Sequence, residues 1–128
     1  MNKVFSVIGL IAGLLMILSS VAHSFFGWQA IRMELVAAHV SGDLLLGVQL
    51  GWQFGGAAIL TFGVIVVAIF WKSLQGRSTS TFPAAVIGLV YIGFGLWAFF
   101  VTSFDPFYMV FIIPGLMSLG SAAGSSRN

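Results

Sequence analysis

Four long apolar stretches, divided by short polar breaks, organise this chain. A helix needs about 20 mostly apolar residues to cross the hydrocarbon core of a bilayer, and each stretch meets that length. The expected spans run from Val4 to about Phe26, from about Gly42 to Phe70, and from Pro83 to about Val101. The fourth opens at Asp105-Pro106, an N-cap followed by proline at the first helical position, and continues to about Ala123. Gly124-Ser125-Ser126-Arg127-Asn128 reads as a small polar tail. Buried strands do not account for stretches this long without alternation, and an eight-stranded barrel needs about twice as many segments. The pattern therefore predicts an all-α fold: one integral membrane domain over residues 1–128, a bundle of four transmembrane helices.

Composition strengthens that expectation. Apolar residues make up 59% of the chain and charged ones 6%, whereas a soluble domain needs roughly a quarter charged. Five basic side chains and a net charge of +2 are too few and too scattered for a nucleic-acid partner. The absence of cysteine excludes disulfides, iron–sulfur clusters and thiolate metal sites. The start of the chain has some features of a secretory signal, with Ser20-Val21-Ala22 as small residues at a cleavage-like spacing. The run is long for a signal and three further spans follow, so it is read as a retained first helix.

The basic residues set an expected orientation. Lys3, Lys72, Arg77 and Arg127 fall on one side of the four spans; Arg32 lies opposite, with Glu34, Asp43 and Asp105. The positive-inside rule then puts both ends of the chain in the cytoplasm, in what is expected to be a bacterial inner membrane. Between the first two spans, Trp28, Ile31, Leu35 and Ala38 repeat at helical steps, with Gln29, Arg32 and His39 on the other face. Two readings fit: a short interfacial helix, or a continuation of the second helix above the membrane. Phe25, Phe26, Trp28, Trp97, Phe99, Phe100, Phe104, Phe107 and Tyr108 crowd this end, and Phe70, Trp71 and Phe82 the other, as interfacial aromatic belts do.

Helix association in lipid depends on close packing and polar contacts, so small and polar residues mark the seams. Gly9, Gly13, Met16, Ser20 and His23 form one stripe on the first span, and Ala84, Gly88, Tyr91, Gly95 and Thr102 one on the third. The second carries Gly47, Gly51 and Gly55, with Gln49 and Gln53 about 180° away. Neither face suits lipid, and an unpaired amide in hydrocarbon costs several kcal/mol. One face is thus expected to meet something outside the monomer, which predicts a homo-oligomer, a dimer through this helix, or a partner membrane subunit. The strings Val7 to Leu10 and Val86 to Leu89 are identical, as a duplicated helical hairpin would leave them.

Candidate ligand-binding residues are His23, His39, Asp43, Gln49, Gln53 and Tyr91. Gly9, Gly13, Gly47, Gly51, Gly55, Gly88 and Gly95 are the candidate packing positions. Imidazole binds metals and haem iron, and His39 lies one turn before Asp43, a spacing at which the two could share an ion. The bland reading of either histidine is a hydrogen bond to a neighbouring hydroxyl or carbonyl. No catalytic string is present and no charge lies in mid-membrane, which argues against an enzyme of a familiar type and an ion-coupled transporter.

His23 at the end of the first span, Phe26-Gly27-Trp28 after it, and Gly51-Trp52-Gln53-Phe54-Gly55 in the second together resemble small bacterial four-helix membrane proteins grouped loosely as DoxX-like. The resemblance implies the four-helix layout and, for some members of that grouping, quinone-linked redox chemistry. Three functions are expected in order: a non-enzymatic binder of a lipidic ligand or partner subunit; a redox accessory protein holding b-type haem or quinone, with His23 and His39 as axial ligands; and a small-solute channel or transporter formed by an oligomer.

Overall fold

A computed structural model of the protein describes residues 3–125; Arg127, one of the four residues used to orient the chain, lies outside them. The described chain is all helix and turn. Helix α1 (Lys3–Ala22) passes through a π-helical turn (His23–Gly27) into α2 (Trp28–Ala37); α3 (Gly42–Leu74), α4 (Phe82–Val101), a 3-10 turn (Pro106–Tyr108) and α5 (Met109–Ser125) follow. Four helical stretches are each long and apolar enough to cross a membrane. This is a four-helix integral membrane protein.

The segment after the first span corrects one expectation. It is helical, but it continues the first helix and not the second, giving one stretch of 35 residues from Lys3 to Ala37. The backbone stays right-handed helical on both sides of the π turn, because nothing between Ala22 and Trp28 supplies a proline or a cap that would stop it. The real break comes at Ala38–Ser41. There His39 takes the left-handed position (φ 55°), and the His39 and Val40 N–H groups donate to the carbonyls of Val36 and Leu35, a Schellman closure. Ser41 restarts the chain as the N-cap of α3, its hydroxyl accepting from the Leu44 N–H.

These lengths have a consequence. The 35-residue stretch and the 33-residue α3 are each about 50 Å long, against about 30 Å of hydrocarbon. The second hairpin, α4 with Pro106–Ser125, has 20 residues on each side and matches the bilayer. The ends near Lys3 are level: Phe5 meets Gly124, Ser6 bonds Ser73, and the Thr81 hydroxyl donates to Ala122. The excess of the first hairpin therefore stands about 20 Å beyond the second at the opposite, acidic end. It carries exposed Met33, Val36, Leu44, Leu46 and Leu50.

Within the bundle α1 packs against α3 and α5, and α4 against α5, whereas α3 and α4 touch only sparsely. Two glycine pairs set the close crossings. A Cβ on Gly63 would lie 2.9 Å from the Gly13 carbonyl oxygen, and one on Gly88 2.8 Å from that of Gly115, so each pair brings two backbones together as no larger residue allows. The Ser118 hydroxyl donates to the Ala84 carbonyl beside the second crossing, at 2.8 Å. The repeated Val-Ile-Gly-Leu strings do not mark equivalent contacts: Gly88 meets backbone, whereas Gly9 faces the Phe70 ring. Met16, Val66, Ile69, Phe70, Ala84, Ile87, Tyr91 and Ala122 form the core.

Candidate functional site

Toward the acidic end, α3 and α4 leave a cleft of about 220 Å³ between them. Gly55, Ile59 and Phe62 line it from α3, Val90, Tyr91 and Phe94 from α4, with His23 and Phe111 completing it. Val90 and Phe94 are exposed on its rim, so the cleft faces the bilayer laterally. Its lining is almost wholly apolar, and the two polar side chains among its lining residues are His23 and Tyr91.

His23 is held tightly. Its Nε2 lies 3.1 Å from the Trp52 carbonyl oxygen. That oxygen can only accept, so the imidazole donates to it from Nε2. The Trp52 indole N–H donates back to the His23 carbonyl at 2.8 Å, and the two rings stack at 4.4 Å with planes 3° apart. The π turn exposes successive carbonyls on the α3 side: beside His23, the Ser24 carbonyl accepts from Gln53 Nε2 at 3.1 Å. A π turn inside a helix often accompanies a functional site; here its freed acceptors are bound by one consecutive Trp-Gln pair. Gly56 makes the approach possible, since a Cβ there would collide with the Ser24 hydroxyl.

Tyr91 supplies the second polar group. It is 97% buried, its ring packed near Phe62 (6.4 Å between centroids) and Phe111 (5.7 Å), and its hydroxyl has no hydrogen-bond partner. A buried hydroxyl normally finds one, because leaving it unmade costs about 1–3 kcal/mol.

The other sequence candidates lie elsewhere. His39 and Asp43 sit at the exposed tip of the long hairpin. The helix is broken between them at Ala38–Ser41, so their spacing of four does not stack them on one face. His23 and His39 are 16 residues apart on or beside one continuous helix, about 24 Å, too far to ligate one haem iron within a monomer. Among the described residues, no three His, Asp or Glu side chains converge on a point where a metal could sit. Gln49 is exposed on the projecting part of α3, whereas Gln53 bonds to the π turn. Gly9, Gly13, Gly88 and Gly95 lie at helix contacts and Gly55 faces the His23 ring; Gly47 and Gly51 face open space.

No family model, curated protein or solved structure matches the chain. The DoxX-like resemblance therefore rests on its short strings alone. Two of those strings, His23 and Gly51 to Gly55, supply one wall of the cleft and its bracing. Ile59, Phe62, Val90, Phe94 and Phe111 were not among the sequence candidates, because an apolar residue lining a cleft is indistinguishable by type from one facing lipid.

Proposed function

We propose that the protein binds an apolar, lipid-like ligand in the cleft between α3 and α4, entering sideways from the bilayer. The observation that carries this reading is the Tyr91 hydroxyl, buried without a partner on a cleft otherwise lined by hydrocarbon. A ligand with a carbonyl, ester or hydroxyl oxygen would relieve it. At about 220 Å³ the cleft is smaller than sites that enclose a drug-sized molecule, so it takes a ring or chain segment while the rest of the ligand stays in lipid. The sparse contact between α3 and α4 supplies the entrance. His23, braced through Trp52, forms the acidic end of the wall.

A quinone head meets the same requirements and keeps the redox alternative open for that ligand. For a haem iron His23 would have only Nδ1 to offer, because its Nε2 is bonded to the Trp52 carbonyl. In this reading Lys3, Lys72 and Arg77 face the cytoplasm, so the cleft opens to the outer leaflet of a bacterial inner membrane. The uncovered Gly47 and Gly51 face, with Gln53 bonded inside the monomer, favours a homodimer through the projecting part of α3.

The test is organic extraction of purified protein followed by mass spectrometry. Wild type should retain an apolar species in stoichiometric amount, and Ile59→Trp, which fills the cleft, should lose it while staying folded. Equal retention by the two proteins would refute the site.

A further inference from the structure

The end of the molecule near Lys3 holds a second cavity, of about 280 Å³, lined by Lys3, Ser73, Leu74, Gly76, Arg77 and Ser78. The chain builds it with care. Helix α3 ends at Leu74 with Gln75 as its C-cap; Gly76 adopts the left-handed conformation (φ 74°), its N–H donating to Ser73 and that of Arg77 to Lys72. This Schellman closure turns the backbone so that Arg77 lines the same cavity as the first turn of α1. Ser73 is buried and tied to Ser6 of α1, which fixes the wall between the helices.

Its electrostatics are one-sided. Glu34, Asp43 and Asp105, the only acidic side chains in the sequence, all belong to the opposite end of the bundle. Among the described residues neither Lys3 nor Arg77 forms an ion pair. Two cations sharing one concavity without a counter-charge repel each other, and an anion between them removes that repulsion. Guanidinium binds phosphate oxygens through two parallel N–H groups, and lysine adds a point charge. Leu74 adds an apolar margin where the span meets the interface.

We propose that this cavity binds a phosphate group through Lys3 and Arg77, as the headgroup of an anionic phospholipid or as free phosphate. The site is separate from the cleft beside Tyr91 and does not depend on it.

The test uses purified full-length protein in a neutral detergent. Phosphatidylglycerol, phosphatidylcholine and inorganic phosphate are titrated in turn, and the thermal midpoint is followed. Phosphatidylglycerol should raise the midpoint saturably and phosphatidylcholine much less. A rise with phosphatidylglycerol alone assigns a lipid headgroup; an equal rise with inorganic phosphate assigns the free anion. Lys3→Gln with Arg77→Gln should weaken phosphatidylglycerol binding roughly 30-fold, from two interfacial charges. Lys72→Gln removes an exposed charge at the same end but outside the cavity, and should leave affinity within about twofold because that charge is screened. Equal responses to the two lipids, no response to any of the three probes, or equal losses from Lys72→Gln and Arg77→Gln would overturn the proposal. The comparison of lipids on wild type stands even if the double variant misfolds.

Discussion

Replacing Tyr91 with phenylalanine should shift stability and ligand retention in opposite directions. The substitution deletes one oxygen and keeps the ring, so the ring contacts with Phe62 and Phe111 survive and no sizeable cavity opens. In the ligand-free protein the hydroxyl is buried with nothing to bond, which carries a penalty of about 1–3 kcal/mol. Polar groups in a membrane-embedded unfolded state find partners less completely than in water, so the lower part of that range, about 1 kcal/mol, is expected. Tyr91→Phe should therefore be the more stable protein once it is stripped of ligand. In the proposed loaded protein the same hydroxyl would donate to the ligand, and its loss would remove a bond with a net contribution of about 0.5–1.5 kcal/mol. Retention should then fall roughly two- to thirteenfold. Stability is measured by titrating a denaturing detergent into mixed micelles and following tryptophan fluorescence; retention, by extraction and mass spectrometry. A stripped Tyr91→Phe protein less stable than wild type would show that the hydroxyl already has a partner. Unchanged retention would show that no ligand uses it.

Three further outcomes follow from the same geometry. Gly63→Ala should destabilise the first hairpin by about 1–3 kcal/mol in that unfolding assay, because its Cβ meets the Gly13 oxygen and the Ile17 nitrogen at 2.9 Å; Gly51→Leu, in open space, should leave the fold intact and convert the proposed dimer to a monomer in light scattering. His39→Gly should raise stability by up to about 1 kcal/mol, since glycine takes the left-handed cap without a steric penalty; a loss would mean that the imidazole makes a contact of its own. Cysteines introduced one at a time by Ser80→Cys and Ser103→Cys should label from opposite sides of intact cells, Ser103→Cys from outside, and labelling from one side would defeat the four-span topology.

The spans were legible in the sequence because hydrocarbon permits no polar interruption, so the second span could be read from Gly42 onward and the fourth from its Asp105-Pro106 start. The path from the first span to the second was not. A helix continues wherever nothing stops it, and between Ala22 and Trp28 the only signal is Gly27, which helices tolerate. The glutamine and glycine faces of α3 were recognised as unusual, but their fates depend on height along the helix. Gln53 and Gly55 lie beside the π turn and meet Ser24 and His23, whereas Gly47 and Gly51 lie nearer the tip of the hairpin and face open space. Tyr91 stood out as a polar residue in a span, yet a missing partner is a property of its neighbours. The cleft itself arises from how far α3 and α4 diverge, which no residue type encodes.

A pocket that opens to the bilayer has a different competitor from one that opens to water. Its mouth lies among acyl chains, so each binding event exchanges one apolar occupant for another. Little hydrophobic free energy changes hands in such an exchange, because the chains displaced are as oily as the ligand that replaces them. For the ligand proposed for this cleft, selectivity would then rest on Tyr91, whose hydroxyl ordinary acyl chains leave unpaired. Occupancy will follow the mole fraction of ligand in the membrane, and an affinity quoted in bulk molar units will drift with the amount of lipid or detergent present.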